Sequence, residues 1–127
     1  MPSLSFPELI ASRRAWIDET LKPWCLTASR FELLQAEQAW VDLAGRPDPG
    51  QTLWYWAWSR FPELCDEELT GLNEAWQVAV TLKSGETVTG YPDARQSRHG
   101  ELTLVESTST EHGPYSIDDI VSAVRVN

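Results

Sequence analysis

The chain has 127 residues, 42% hydrophobic and 23% charged, a balance that suits a folded domain and excludes a disordered one. Its net charge is −9, with 6 basic against 12 acidic residues over 1–75 and 4 against 7 over 76–127. Nucleic-acid affinity rests on Lys and Arg neutralising phosphates, so this balance argues against nucleic acid as the main ligand and favours a basic partner, or no charged partner at all.

The first segment, SFPELIASRRAWIDETLKP, opens with Ser5-x-x-Glu8, a capping-box pattern, with Pro7 in the first turn. Leu9, Ile10, Trp16, Ile17 and Leu21 share a helical face, and Pro23 is expected to end the run. Ser29-x-x-Glu32 starts a second helix whose apolar side is Leu33, Ala36, Trp40, Leu43 and Ala44, with Gly45 as its stop. Asp48-Pro49-Gly50-Gln51 resembles a third N-terminus, leading into LWYWAWSRF, a stretch with three tryptophans. As a helix it puts Leu53, Trp54, Ala57, Trp58 and Phe61 on one face, directed at a core. Tyr55 and Trp56 fall on its flanks and are the residues left for recognition. Phe6-Pro7-Glu8-Leu9 recurs as Phe61-Pro62-Glu63-Leu64, but nothing after the tetrapeptide aligns, so two ordinary helix starts explain it better than a duplication. CDEELTGLNEAW is expected to form a short acidic helix.

The pattern changes at Trp76. Trp76, Val78, Val80 and Leu82 alternate with Gln77, Ala79, Thr81 and Lys83, a half-buried strand followed by a tight Ser84-Gly85 turn. ETVTGY is a second strand that Gly90 allows to bend, and PDARQSRHG is a loop. ELTLVES is a third strand, STSTEHGP a polar turn, and Tyr115-Ser116 a short fourth strand. A single helical turn capped by Ser116 precedes the last strand, IVSAVRV. The expected fold is α+β: N-terminal helices over 1–75 packed on a C-terminal five-stranded small β-barrel of Sm or SH3 type over 76–127, in one shared core or two units.

Residues 76–126 resemble the Sm-like small barrels, and among them the Rof family of Rho-binding antiterminators. The resemblance lies in Leu82-Lys83-Ser84-Gly85-Glu86, in Leu102–Val105 followed by Glu106, and in Ile117-Asp118-Asp119-Ile120 before the final strand. It implies an acidic surface that meets a basic protein partner, a Rho-like RNA-binding factor. Glu86, Glu106, Asp118 and Asp119 are then the candidate partner-binding acids, beside Tyr55 and Trp56. The Arg-Gly element with which RNA-binding Sm proteins hold a base is replaced by Ile117-Asp118-Asp119-Ile120, so RNA binding is not implied.

No catalytic motif stands out. His99 and His112 fall alone in expected loops, short of the three converging ligands a zinc site needs. Cys25 and Cys65 show no C-x-x-C spacing and read as reduced, mostly buried thiols. No apolar run approaches the roughly 20 residues of a membrane span, and MPSLSFPELIASRR lacks the core of a signal peptide. The expectation is a non-enzymatic, cytoplasmic, bacterial interaction module with no cofactor, no metal and no membrane contact. The alternative is a small-molecule or peptide binder with an aromatic pocket between helices and barrel; oligomeric state stays open.

Overall fold

A computed structural model describes residues 14–39, 48, 52–66, 68 and 71–126. The expected Ser5-x-x-Glu8 cap with Pro7, Leu9 and Ile10, the positions Trp40, Leu43, Ala44 and Gly45, and Pro49-Gly50-Gln51 lie outside these residues.

Helical backbone from Arg14 runs through a π-helical turn, Ile17–Leu21, into α1, Lys22–Cys25. Pro23 does not end the run, as the sequence suggested, but sits in the first turn of α1. The reason is local. The Lys22 N–H bonds to the Ile17 carbonyl, widening the helix by one residue where a proline ring would otherwise press on the preceding turn. Helix α2, Arg30–Gln38, starts where Ser29-x-x-Glu32 places it: the Ser29 hydroxyl accepts from the Glu32 N–H, and the Glu32 carboxylate accepts from the Ser29 N–H at 3.1 Å. The Ser29 N–H and then the Ser29 hydroxyl, both donating to the carboxylate, hold the Glu32 carboxyl below its ordinary pKa. Helix α3, Leu53–Trp58, buries Leu53, Trp54, Ala57 and Trp58, as the helical reading of that stretch requires, and leaves Tyr55 and Trp56 half-buried. Thr52 precedes the helix and donates its hydroxyl to the Asp48 carbonyl at 2.8 Å.

After a 3-10 turn, Pro62–Leu64, the expected acidic helix is replaced by a minimal hairpin of β1, Cys65–Asp66, and β2, Gly71–Leu72. Asp66 decides this. Its carboxylate accepts from the Glu68 N–H at 3.0 Å, a local turn that competes with helix.

Five strands follow: β3, Val78–Leu82; β4, Thr87–Pro92; β5, Glu101–Val105; β6, Glu111–Ser116; and β7, Ile120–Arg125. They form one antiparallel sheet in the order β6-β5-β4-β3-β7, with β6 and β7 as its edges. Strand β4 bends at Gly90: Thr87–Gly90 pair with β3, whereas Tyr91 and Pro92 pair with β5. A Cβ at Gly90 would stand 3.1 Å from both Leu104 Cβ and the Val105 carbonyl oxygen, a crossing close enough to favour glycine. Strand β6 is longer than Tyr115-Ser116. It starts at Glu111, so His112, Gly113 and Pro114 belong to a strand and not to a turn. As an edge strand, β6 tolerates a proline that lacks an N–H. A 3-10 turn, Ile117–Asp119, capped by Ser116, leads into β7.

One hydrophobic cluster runs through both halves. Leu21, Cys25, Leu33, Leu53, Trp54, Trp58 and Leu64 from the helical part meet Val78, Val80, Leu102, Leu104, Ile117 and Ile120 from the sheet. Trp54 and Trp58 each bury about 150–250 Å², about 4–6 kcal/mol gross per ring, within this shared core.

Candidate functional site

Burying one face of α3 has a consequence for its flank. With Leu53, Trp54, Ala57 and Trp58 turned inward, Tyr55 and Ser59, one helical turn apart, face a cleft of about 580 Å³. The 3-10 turn supplies Pro62 and Glu63 to its wall, β1 supplies Cys65, the segment just before β3 supplies Trp76, and the end of β7 supplies Arg125. Trp76 and Arg125 meet because β3 and β7 are antiparallel neighbours, with Val78 opposite Arg125 and the Val126 N–H bonded to the Gln77 carbonyl at 2.9 Å. The Arg125 guanidinium lies over the Trp76 ring, 4.1 Å from its centre.

Glu63 fixes both partners. Its carbonyl accepts from the Trp76 indole N–H at 3.2 Å, and its carboxylate accepts from the Arg125 backbone N–H. The indole therefore cannot swing away, and the carboxylate of Glu63 is engaged at the backbone and not at the guanidinium. Burial pushes the Cys65 thiol up to about 11, so it is protonated at neutral pH and is no nucleophile.

The expected site residues do not gather in one place. Tyr55 lines the cleft; Trp56 instead lies beneath the Lys22 ammonium, 5.3 Å from its ring centre. Glu86 and Asp119 are exposed and share one end of the sheet, where the Glu86 carbonyl accepts from the Leu82 N–H and the Asp119 carbonyl from the Lys83 N–H, both at 2.8 Å. Burial, and then the charge of Glu86, raise the pKa of the Tyr115 hydroxyl. Glu106 is at the far end of β5, paired with His112 at 3.2 Å.

Asp118 is turned inward to a structural task. Its carboxylate accepts from the Arg30 N–H, the first of α2, at 2.8 Å across 88 residues of sequence. Its charge also offsets the desolvation of Arg60. Arg60, the one basic residue near the aromatic run, carries a structural role that the sequence pattern alone does not assign. Its guanidinium donates to the carbonyls of Ala57, Cys25 and Ala28 at 3.0, 2.7 and 2.9 Å, closing the ends of α1 and α3. Its lone basic charge behind an aromatic run was the available signal.

His99 is not alone either. It meets Glu37 at 2.8 Å and stands edge-on to Trp54, and Arg30 donates to its carbonyl at 2.8 Å. Among the described residues no group of three His, Cys, Asp or Glu side chains could hold a metal ion, and no helix is long and apolar enough to cross a membrane. Compared with known protein families, curated proteins and solved structures, the chain matches none of them.

Proposed function

We propose that this chain is a non-enzymatic interaction module whose Tyr55–Trp76–Arg125 cleft binds an apolar, carboxylate-bearing ligand, either a small molecule or the end of a peptide. The observation that carries this reading is the Arg125 guanidinium. It spends its flat face on Trp76, while its five N–H donors have no acceptor among the described residues. A guanidinium held flat presents those donors sideways as a fork, the geometry that takes a carboxylate bidentately. The cleft is of ligand size, and Tyr55, Pro62 and Trp76 give it apolar walls.

The framework around the cleft is read as a small barrel of Sm or SH3 type. Three features support that reading: the last strand, β7, lies beside β3, β4 is sharply bent, and a 3-10 turn precedes the last strand. The test is a titration with 3-phenylpropionate and with its amide, followed by amide chemical shifts. Saturable shifts at Tyr55, Trp76 and Arg125 with the acid, weaker with the amide and absent in Arg125→Met, are expected. No shift at these residues with either compound would overturn the proposal.

The exposed pair Glu86 and Asp119 favours a second reading, in which this acidic end meets a basic protein surface such as that of a Rho-like factor. Its test is co-purification with Rho at low and high salt; association that ignores both salt and the change Glu86→Lys would remove it.

A further inference from the structure

Trp16 is 38% exposed and Trp24 half-buried, and both line a cleft of about 490 Å³ between the first helical run and α2. The π-helical turn puts them on one side. In a regular α-helix, side chains eight residues apart stand about 80° apart around the axis. The extra residue taken up at Ile17–Leu21 makes the spacing equivalent to seven, which leaves them about 20° apart. Such insertions recur at functional sites. Leu21 and Ala36, both buried, complete the apolar wall.

The charge of the cleft is one-sided. Among the described residues that line it, Glu32 alone is charged. Its carboxylate engages Ser29 through one oxygen: Oε1 accepts from the Ser29 N–H at 3.1 Å and from the Ser29 hydroxyl at 3.0 Å. Oε2 has no partner among the described residues. Lys22, on the neighbouring helical run, is committed elsewhere. Its ammonium pairs with Asp18 at 3.1 Å and lies 5.3 Å from the centre of the Trp56 ring.

We infer that this cleft binds a small molecule bearing a quaternary ammonium group. A cation is attracted by an indole face, the best of the aromatic faces for it, and by a carboxylate. An anion is repelled by Glu32, and a neutral apolar ligand strips water from the carboxylate without replacing it. A primary ammonium brings three N–H donors, and beyond Glu32 the lining side chains offer as acceptors the Thr20 hydroxyl and the Gln35 amide. A fully alkylated nitrogen has no donor to satisfy, and its methyl groups suit walls of Trp, Leu and Ala. The net charge of −9 favours the approach of cations in general. The site is separate from the Arg125 cleft and opposite to it in charge.

Titration with choline and with its uncharged isostere 3,3-dimethylbutanol, each to about 50 mM, tests this through the indole N–H resonances. Saturable shifts at Trp16 and Trp24 are expected with choline, with affinity at least about 3-fold above that for the alcohol. Trp16→Ala, at an exposed position, should weaken binding about 3–30-fold. Glu32→Gln, which preserves the cap of α2, should weaken it at least about 3-fold. Arg125→Met should leave it unchanged, which separates this site from the other cleft. Phosphatidylcholine vesicles distinguish a free ligand from a lipid headgroup, and the chain is expected to stay in the supernatant when they are sedimented. No saturable shift with choline overturns the inference, as does an equal response to the alcohol, a response that survives both Trp16→Ala and Glu32→Gln, or sedimentation with the vesicles.

Discussion

Replacing Asp118 by alanine separates a structural acid from a partner-binding one. The carboxylate accepts a 2.8 Å bond from the Arg30 N–H, and its charge lies near the half-buried Arg60 guanidinium. A hydrogen bond to a charged group contributes about 1.5–3 kcal/mol, and an N-cap contact is typically worth about 1 kcal/mol by itself. The Arg60 charge, stripped of its nearest opposite charge, adds to the loss. The expected destabilisation is about 2–4 kcal/mol, or about 8–16 °C in melting midpoint for a chain of this size. Asp118→Asn keeps an acceptor oxygen without the charge and should recover about half. Urea denaturation followed by tryptophan fluorescence and by far-ultraviolet circular dichroism reads both variants. An Asp118→Ala midpoint within about 0.5 kcal/mol of the parent would refute the reasoning and return Asp118 to the pool of partner-binding acids.

Two glycines offer a paired comparison. Gly100 has φ +80° and a Cβ there would stand 2.7 Å from the Trp54 ring, whereas Gly85 has φ +91° and open space around it. Gly85→Ala should therefore cost about 1 kcal/mol, the left-handed backbone penalty alone, and Gly100→Ala clearly more, measured by thermal melts. Burial raises both thiols from 9.0 to about 11. The folded protein should then hold about 100-fold less thiolate than the unfolded chain near pH 8, and alkylation by iodoacetamide should be slower to match. The same shift carries a sign for stability. The unfolded chain loses these protons from about pH 9 and the folded one only near 11, so the stabilising contribution is intact below pH 9 and is lost as pH climbs through that window.

The parts of the fold legible in sequence are those in which local chemistry and tertiary packing agree. Ser29 and Glu32 cap α2 whatever surrounds them, and the alternation from Val78 to Leu82 needs only a core on one side. The failures come where two local preferences compete. Asp66-Glu67-Glu68 suits a helix start, yet the Asp66 side chain closes a turn on the Glu68 N–H and β1 pairs with β2. Gly113-Pro114 has the composition of a turn, and only its place at the edge of the sheet lets it be strand. The candidate cleft was half visible: Tyr55 follows from the helical face of α3, but Trp76 and Arg125 meet only because β7 returns beside β3. The acids misled for a related reason. Asp118 and Asp119 are adjacent in sequence, yet one turns to a helix terminus and the other to solvent.

The contact between Asp118 and α2 also bears on how the chain acquires its shape during synthesis. Helix α2 is made early, but the carboxylate that satisfies its first N–H belongs to a turn 88 residues further on. Arg30 likewise waits 71 residues for Glu101. Until those strands have left the ribosome, the nascent helical segment must rely on the Ser29 cap alone, with Trp54 and its neighbours still lacking the sheet they are to cover. Such a chain has its adhesive surface ready well before the surface it fits, and in that interval it depends on chaperones, or on speed, to avoid sticking to something else.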